Sequence, residues 1–473
     1  MKEKTWILIL LFSFLAGGLY LLLRPHGESL LEPAEPEKPT LIIWYTDENL
    51  TDYLNSAAVA CLDAEGVRVE PVLKTGLEYI DEIYNASVAG EDYPDLYIIG
   101  SDSLEKAALA GVALPVEDPE HVLNSFNYPD IALNAASCQG RQIAYPFYYE
   151  TAFLLYNSTY LSQMADASLR RELAGDVDEE EDESNAGAVY DPDAPLPEGY
   201  TEESWKEAVD LKTQALIPQS IEDIRKLAAS HSAPAGMENF FLWDVSDIYY
   251  NYFFLGAYMN VGGESGDDPT QLSICNEDSV HCMSTYQKLH EFFSIDSSES
   301  SYEKVLEDFL AGKTLFTIVT TDALATVSRA FEQGEYQYGY GVAALPAVDS
   351  EHAARGLSTT SCVVVNAFSE HPVEANLFAE YVMYESADTL YDRTGKLPCM
   401  GGAQDEATGA RDVVRQIYME SASLPKLVAL SNFWLELELA YTRVWDGADP
   451  EESLKQLAEQ MEQQLAEQNK DAL

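Results

Sequence analysis

Basic residues are scarce in this chain: 27 Lys and Arg stand against 81 Asp and Glu in 473 residues, a formal charge of −54. A field of that sign repels polyanions, which argues against nucleic acid and anionic lipid as partners and favours a neutral or cationic ligand over an anionic one. Histidine is scarcer still, with seven in all, and no G-x-S-x-G, H-E-x-x-H, P-loop or G-x-G-x-x-G is present. The common hydrolase, metalloprotease and nucleotide-enzyme constellations are therefore missing, and no enzymatic activity is expected. Asp244 and Asp247 are a pair of acids, but three residues apart on one helix they point the same way and cannot flank a glycosidic bond. Cysteine supplies no framework either. The six thiols show no C-x-x-C or Cys/His ligand spacing, so neither a zinc site nor any other metal or cofactor is expected. Cys275 and Cys282 are the nearest pair, and the set reads as core thiols rather than disulfides.

Long hydrophobic runs are limited to one, Trp6–Leu23, which follows Lys2 and Lys4 and precedes Arg24-Pro25. Its eighteen residues are just enough to span a bilayer as a helix, and the lysines predict a cytoplasmic start with the remaining chain exported. Leu15-Ala-Gly-Gly18 has the outline of a lipoprotein signal with Gly where the acylated cysteine belongs, so a lipid anchor is not available. Ala16-Gly17-Gly18 offers a small-residue cleavage site, but the apolar run continues for five residues beyond it. Residues 1–24 are therefore expected to be an uncleaved signal anchor in preference to a signal peptide. Residues 25–39, rich in Pro and Glu, have the composition of a stalk, and globular structure is expected from Thr40.

Beyond the stalk, strand and helix patterns alternate. Thr40–Tyr45, Gly66–Leu73 and Pro94–Ile99 read as strands; segments ending at Leu62, Ala89 and Ala110 read as helices, the last capped by Gly111. Such alternation predicts an α/β layer with a largely parallel sheet, whose ligands meet the loops after the strand C-termini, here Thr46–Asn49 and Gly100–Asp102. From Gln163 to Leu216 the pattern fails. The carboxylate run Asp176–Glu183 and the proline-rich Asp191–Pro197 predict a solvated acidic insert, without the Asp-x-Asp-x-Asp-Gly loop that would hold calcium; helical order is expected again at Ser204-Trp205 and over Ser220–Ala229. Trp243–Gly263 is rich in aromatics at helical spacing; most belong to a core, while Trp243, Asp244 and Asp247 fall where the helix starts.

The segment Gly140–Asn157 carries the most information. A Gly-led turn delivers a short apolar strand, then Tyr148, Tyr149 and Glu150, then a second strand ending in Tyr156-Asn157. A chain that crosses between two lobes leaves hydrogen-bonding side chains at the mouth of a cleft in this way. The segment resembles the inter-lobe crossing of bacterial extracellular solute-binding proteins of the maltose-binding type, which feed ABC importers. Further segments are similar to the same family in the same order: Asp95–Asp102 with Ala110–Pro115, Ile217–Ile224, Phe309–Lys313, Tyr338–Pro346, the segment bearing Trp434, and Pro450–Leu454. The resemblance runs from Thr40 onward except for the acidic insert.

What the resemblance implies is a two-lobed periplasmic-binding-protein-like α/β fold, each lobe a sheet flanked by helices, with a hinge between them. Residues 40–148 and 357–405 would form one lobe and residues 149–356 and 406–473 the other. Ligand-contacting groups in this family follow the first and third strands and lie at the crossing and on the C-terminal helix. Those places fall on Glu48 and Asn49, Asp102, Glu150 with its neighbour Tyr148, and Trp434. The sequence departs from maltose binders at Asn49, where they carry a basic residue, and at Ile98 and Ile99, which supply no aromatic before Asp102. It departs again at Thr320-Thr-Asp322, where they stack a Trp. Asp322 joins the candidates there, and Trp243 is the residue that could restore a stacking face. Carboxylates and Asn suit vicinal hydroxyls, and aromatic faces suit the C–H side of a pyranose. A sugar or oligosaccharide is therefore expected, bound by a monomer and delivered to ABC permease subunits by cleft closure. Competing roles are a paired hinge carboxylate for Glu150, an N-cap for Asp102 and core packing for Trp434. Two other readings share the fold: a membrane-tethered sensor or adaptor, and a ligand-free scaffold.

Overall fold

Apolar runs become the central strands. Leu96–Gly100, Thr314–Thr320 and Leu357–Val365 are buried along most of their length, as strands covered on both faces must be. The computed structural model describes residues 39–471 apart from 77, 118–121, 176–189, 298–299, 385–386 and 402–408. The N-terminal hydrophobic run, the stalk to residue 38 and the carboxylate run 176–183 lie outside the described residues. Among the described residues no helix is long and apolar enough to cross a membrane.

Among the described residues the principal sheet has ten strands, seven of them in the order Arg68–Leu73, Thr40–Tyr45, Leu96–Gly100, Leu357–Val365, Tyr145–Asn157, Thr314–Thr320, Asn239–Phe241. The first three are parallel, but Leu357–Val365 runs antiparallel to Leu96–Gly100. The sheet is thus mixed rather than largely parallel, because the chain returns to its centre from the second lobe. Tyr145–Asn157 joins the two halves. Its first half pairs with Leu357–Val365 and Leu397–Pro398, its second with Thr314–Thr320 and Tyr340–Ala343. At about 3.3 Å per residue, this 13-residue strand reaches on the order of 40 Å and belongs to both lobes.

Two sequence expectations need correction. The loss of pattern does not begin at Gln163: Asn157 caps a helix over Ser158–Ala174 by accepting from Tyr160 N at 3.0 Å, and Gly175 ends it in the left-handed region. Order resumes, as Ser204-Trp205 leads one to expect, in the helix Glu202–Ala215, whose Trp205 donates to Asp166 at 2.7 Å. The aromatic segment from Trp243 is not one long helix. It holds a single helical turn, Ile248–Asn251, followed by the 3₁₀ turn Tyr252–Phe254. All six cysteines are free thiols; five are buried and Cys275 is half-buried.

The lobes also meet along a seam. The almost fully buried Lys426 donates to the carbonyls of Asn134 and Ser137, the latter at 2.6 Å. Beside it, Val428 N donates to the Glu105 carboxylate, and Gln139 N to Asp267 Oδ2 at 2.6 Å.

Candidate functional site

Alternation along the crossing strand decides which side chains reach the cleft. Tyr148 and Glu150 share one face; Tyr149 takes the other, where its ring stacks on Tyr418 at 3.9 Å. On the Glu150 face stands a lysine that the sequence reading overlooked. Lys396 Nζ donates to Glu150 Oε1 at 2.6 Å and to Asp47 Oδ2 at 3.1 Å, and lies 5.2 Å from the centre of the Tyr148 ring. Local structure puts it there. The helix Ala387–Thr394 ends at Gly395, whose φ of +74° turns the chain sharply, and Gly395 N donates to Tyr391 O at 2.7 Å.

Burial works against the Lys396 charge, but Glu150, Tyr148 and Asp47 outweigh it and raise its pKa. Burial pushes the Tyr148 hydroxyl up to about 12, against the pull of Lys396 and a hydrogen bond with Ser361. Asp47 also organises the turn after the first strand. Its Oδ1 accepts from the backbone and side-chain nitrogens of Asn49, both at 3.0 Å, which places the exposed Glu48 and Asn49 beside this cluster.

The opposing side is built from tyrosines and one helix start. Tyr302 stacks on Tyr250 at 5.1 Å with the rings 11° apart. Its hydroxyl donates to both Asp322 carboxylate oxygens, at 3.0 and 2.9 Å, and Thr320 donates to the same carboxylate. Asp322 occupies the first turn of the helix Thr321–Glu332, where the helix dipole favours a negative charge. Burial raises the Tyr302 hydroxyl pKa, with further contributions from Asp322 and Glu150, and the pairing of Thr320 with Ala152 sets the helix start next to the crossing strand. Burial, then the Asp102 and Glu150 carboxylates, raise the Tyr249 hydroxyl pKa, with Thr359 opposing them.

Asp102 is exposed in the turn after the third strand; desolvation raises its carboxyl pKa, against backbone hydrogen bonds at Asp102 and Ser103. Trp434, on the helix Phe433–Trp445, is half-buried, with its ring 6.0 Å from that of Tyr252.

Asp47, Tyr148, Glu150 and Lys396 are thus in one cluster with Glu48 and Asn49 at its edge, and Asp322 and Asp102 are tied to it through Tyr302 and Tyr249. Trp243 is not. It is 0% exposed, donates to Asn251 Oδ1 at 2.9 Å, stacks on Phe241 at 4.3 Å and meets Trp445 edge-on at 5.7 Å. The neighbouring strand Asn239–Phe241 pairs with Thr314–Phe316 and draws it under the sheet, so it offers no stacking face to a ligand. Asp244 is likewise spent on structure, accepting from Ser246 and Asp247.

Residues 49–387 match the sequence profile of the bacterial extracellular solute-binding protein family. The chain belongs to that family. As such it is an extracellular binding protein, and solved structures agree on its two-lobed fold. A cyclo/maltodextrin-binding protein complexed with maltotetraose superposes with a TM-score of 0.68 at 18% identity, covering 91% of this chain and 98% of the other. An extracellular solute-binding protein from Staphylococcus aureus in complex with maltose gives 0.66 at 18%, covering 91% and 99%. A Thermus thermophilus maltotriose-binding protein bound with maltotriose gives 0.62 at 17%, covering 89% and 99%. By sequence alone, no curated protein matches this solute-binding protein significantly.

Sequence reasoning missed Lys396 and the tyrosines at 249, 250 and 302, while Asp47 falls in the loop Thr46–Asn49 singled out from the strand pattern.

Proposed function

We propose that this protein binds a carbohydrate between its lobes and delivers it to ABC permease subunits as a monomer, without transforming it. The observation that carries this reading is the meeting of Glu150 and Lys396 with Tyr148 on one side and the Tyr250–Tyr302–Asp322 group on the other. Carboxylates accept and an ammonium donates, so a pair of vicinal hydroxyls can engage both while tyrosine faces cover C–H surface. The net negative charge of the cluster disfavours an anionic solute. Proteins of similar structure are complexed with maltotetraose, maltose and maltotriose, which makes malto-oligosaccharides the first class to try.

The mechanism needs solute to bind the closed state better than the open one. Hydroxyls that exchange for parts of the Lys396–Glu150–Asp47 network would bridge the crossing strand to the tyrosines of the second lobe. Residues 1–24 are proposed to hold the protein at the outer face of the membrane, and cell fractionation with and without them tests this. For the ligand, a thermal-shift screen with mono- and oligosaccharides, polyamines, peptides and divalent ions is decisive. Solute at 100–1,000 times its Kd should stabilise the protein by roughly 3–4 kcal/mol. Stabilisation by one sugar class supports the reading; stabilisation only by peptides or polyamines would replace it.

A further inference from the structure

Two Asp-x-x-His segments meet on the second lobe, outside the ligand cleft. Asp278-Ser-Val-His281 lies in the opening turns of the helix Glu277–Phe293, where a spacing of three puts both side chains on one face. Asp349-Ser-Glu-His352 lies in the loop that leads to the strand Leu357–Val365. His281 Nε2 is 2.7 Å from Asp349 Oδ2, His352 Nδ1 is 2.8 Å from Asp349 Oδ1, and His352 Nε2 is 3.6 Å from Asp278 Oδ1. The two imidazoles stack with centroids 4.3 Å apart.

We propose that His281, Asp349 and His352 form a site for a divalent transition-metal ion with the coordination preferences of Zn²⁺, with Asp278 at the far ring nitrogen of His352 orienting that imidazole. One donor atom each from His281, Asp349 and His352 already lie within 4.8 Å of one another. A tetrahedral ion with bonds of about 2.0–2.1 Å needs donors about 3.3 Å apart, which modest side-chain rotations supply. Two imidazoles and one carboxylate, with water in the fourth position, suit zinc, whereas calcium and magnesium call for an all-oxygen set.

The surroundings pre-set the donors. Asp349 Oδ1 accepts from the backbone of Glu351 and of His352, both at 2.9 Å. The His352 ring packs edge-on against Tyr258 at 5.3 Å, and the Tyr258 hydroxyl accepts from Ala353 N at 2.9 Å. His281 and Asp349 both line an open groove of about 750 Å³, which gives an ion a path in. No local Cys/His spacing announces this site, because its ligands come from two distant segments, His281 from one and Asp349 and His352 from the other.

A bound ion would clamp the loop to the helix, so occupancy should appear as thermal stabilisation as well as heat of binding. The test is calorimetric titration of the chelator-treated full-length protein with Zn²⁺ alone, repeated on His281→Ala and His352→Gln. One saturable equivalent is expected, weakened at least tenfold in each variant. Co²⁺ should give the intense visible spectrum of a four-coordinate ion, lost in both. Asp278→Asn, at an exposed helix position, provides a second probe if a histidine variant misfolds. No saturable equivalent, affinity within twofold of wild type in all the folded variants, or equal displacement by Mg²⁺ would overturn the proposal. The last of these would mark general binding to an acidic surface.

Discussion

Lys396 and Lys426 are both largely buried, yet their surroundings act on them in opposite directions. At Lys396 burial is outweighed by Glu150, Tyr148 and Asp47, and the pKa rises. At Lys426 burial outweighs the nearby Asp267, and the pKa falls, the ammonium being held by two carbonyls. The partners of Lys396 retain contact with solvent: the side chains of Asp47 and Glu150 are 23% and 33% exposed. Those carboxylates can exchange part of their bonding for ligand hydroxyls. The partners of Lys426 are backbone groups in a closed seam and cannot. One lysine therefore belongs to a site and the other to the scaffold, a distinction that charge alone does not reveal.

The same division separates the tryptophans, and it sets the largest expected effect. Trp243→Ala should lower unfolding free energy by about 3–5 kcal/mol, the cost of emptying a packed aromatic site. Urea titration measures it, and a loss below about 1 kcal/mol would return Trp243 to the exposed candidates. Lys426→Ala leaves two carbonyls of the seam without their donor and should cost about 2–3 kcal/mol in the same experiment. Solute affinity should fall less than for the cleft variants.

Glu150→Ala and Trp434→Ala should behave in the reverse manner. Each is expected to weaken solute binding tenfold or more, about 1.4 kcal/mol, with melting temperature nearly unchanged. Unaltered affinity in both folded variants would remove the proposed cleft residues from the site. Asp102→Asn gives the smallest effect and the finest test. The desolvated carboxyl has its folded pKa above its unfolded one, so its stabilising contribution is complete at low pH and is lost as pH rises through the folded value. At neutral pH the variant should therefore melt slightly higher than wild type, with a flatter acid-side pH profile, while binding weakens. A lower melting temperature at neutral pH would instead make Asp102 a structural cap.

Where the chain's own periodicity carries the information, sequence and structure agree. Tyr148 and Glu150 share a strand face two residues apart, and Trp434 rides the helix expected near the C-terminus. Where the site is assembled from distant segments, the sequence is silent. Tyr302 opens the helix Tyr302–Leu310 and reaches Asp322 at the start of the next, a contact that no local pattern encodes. Trp243 was misplaced because its position relative to a helix start is visible in the sequence, while the strand pairing beside it is not. The acidic insert was drawn too wide because the carboxylates after Gly175 obscured a capped helix in front of them.

The central claim is that solute binds where Glu150 meets Lys396. Calorimetric titration of a malto-oligosaccharide, or of whichever sugar first stabilises the protein, into wild type and Glu150→Ala side by side tests it most directly. The account predicts saturable one-site binding to wild type and at least a tenfold weaker Kd in the variant. Equal affinity in the two proteins, or no binding of any carbohydrate to wild type, would contradict it.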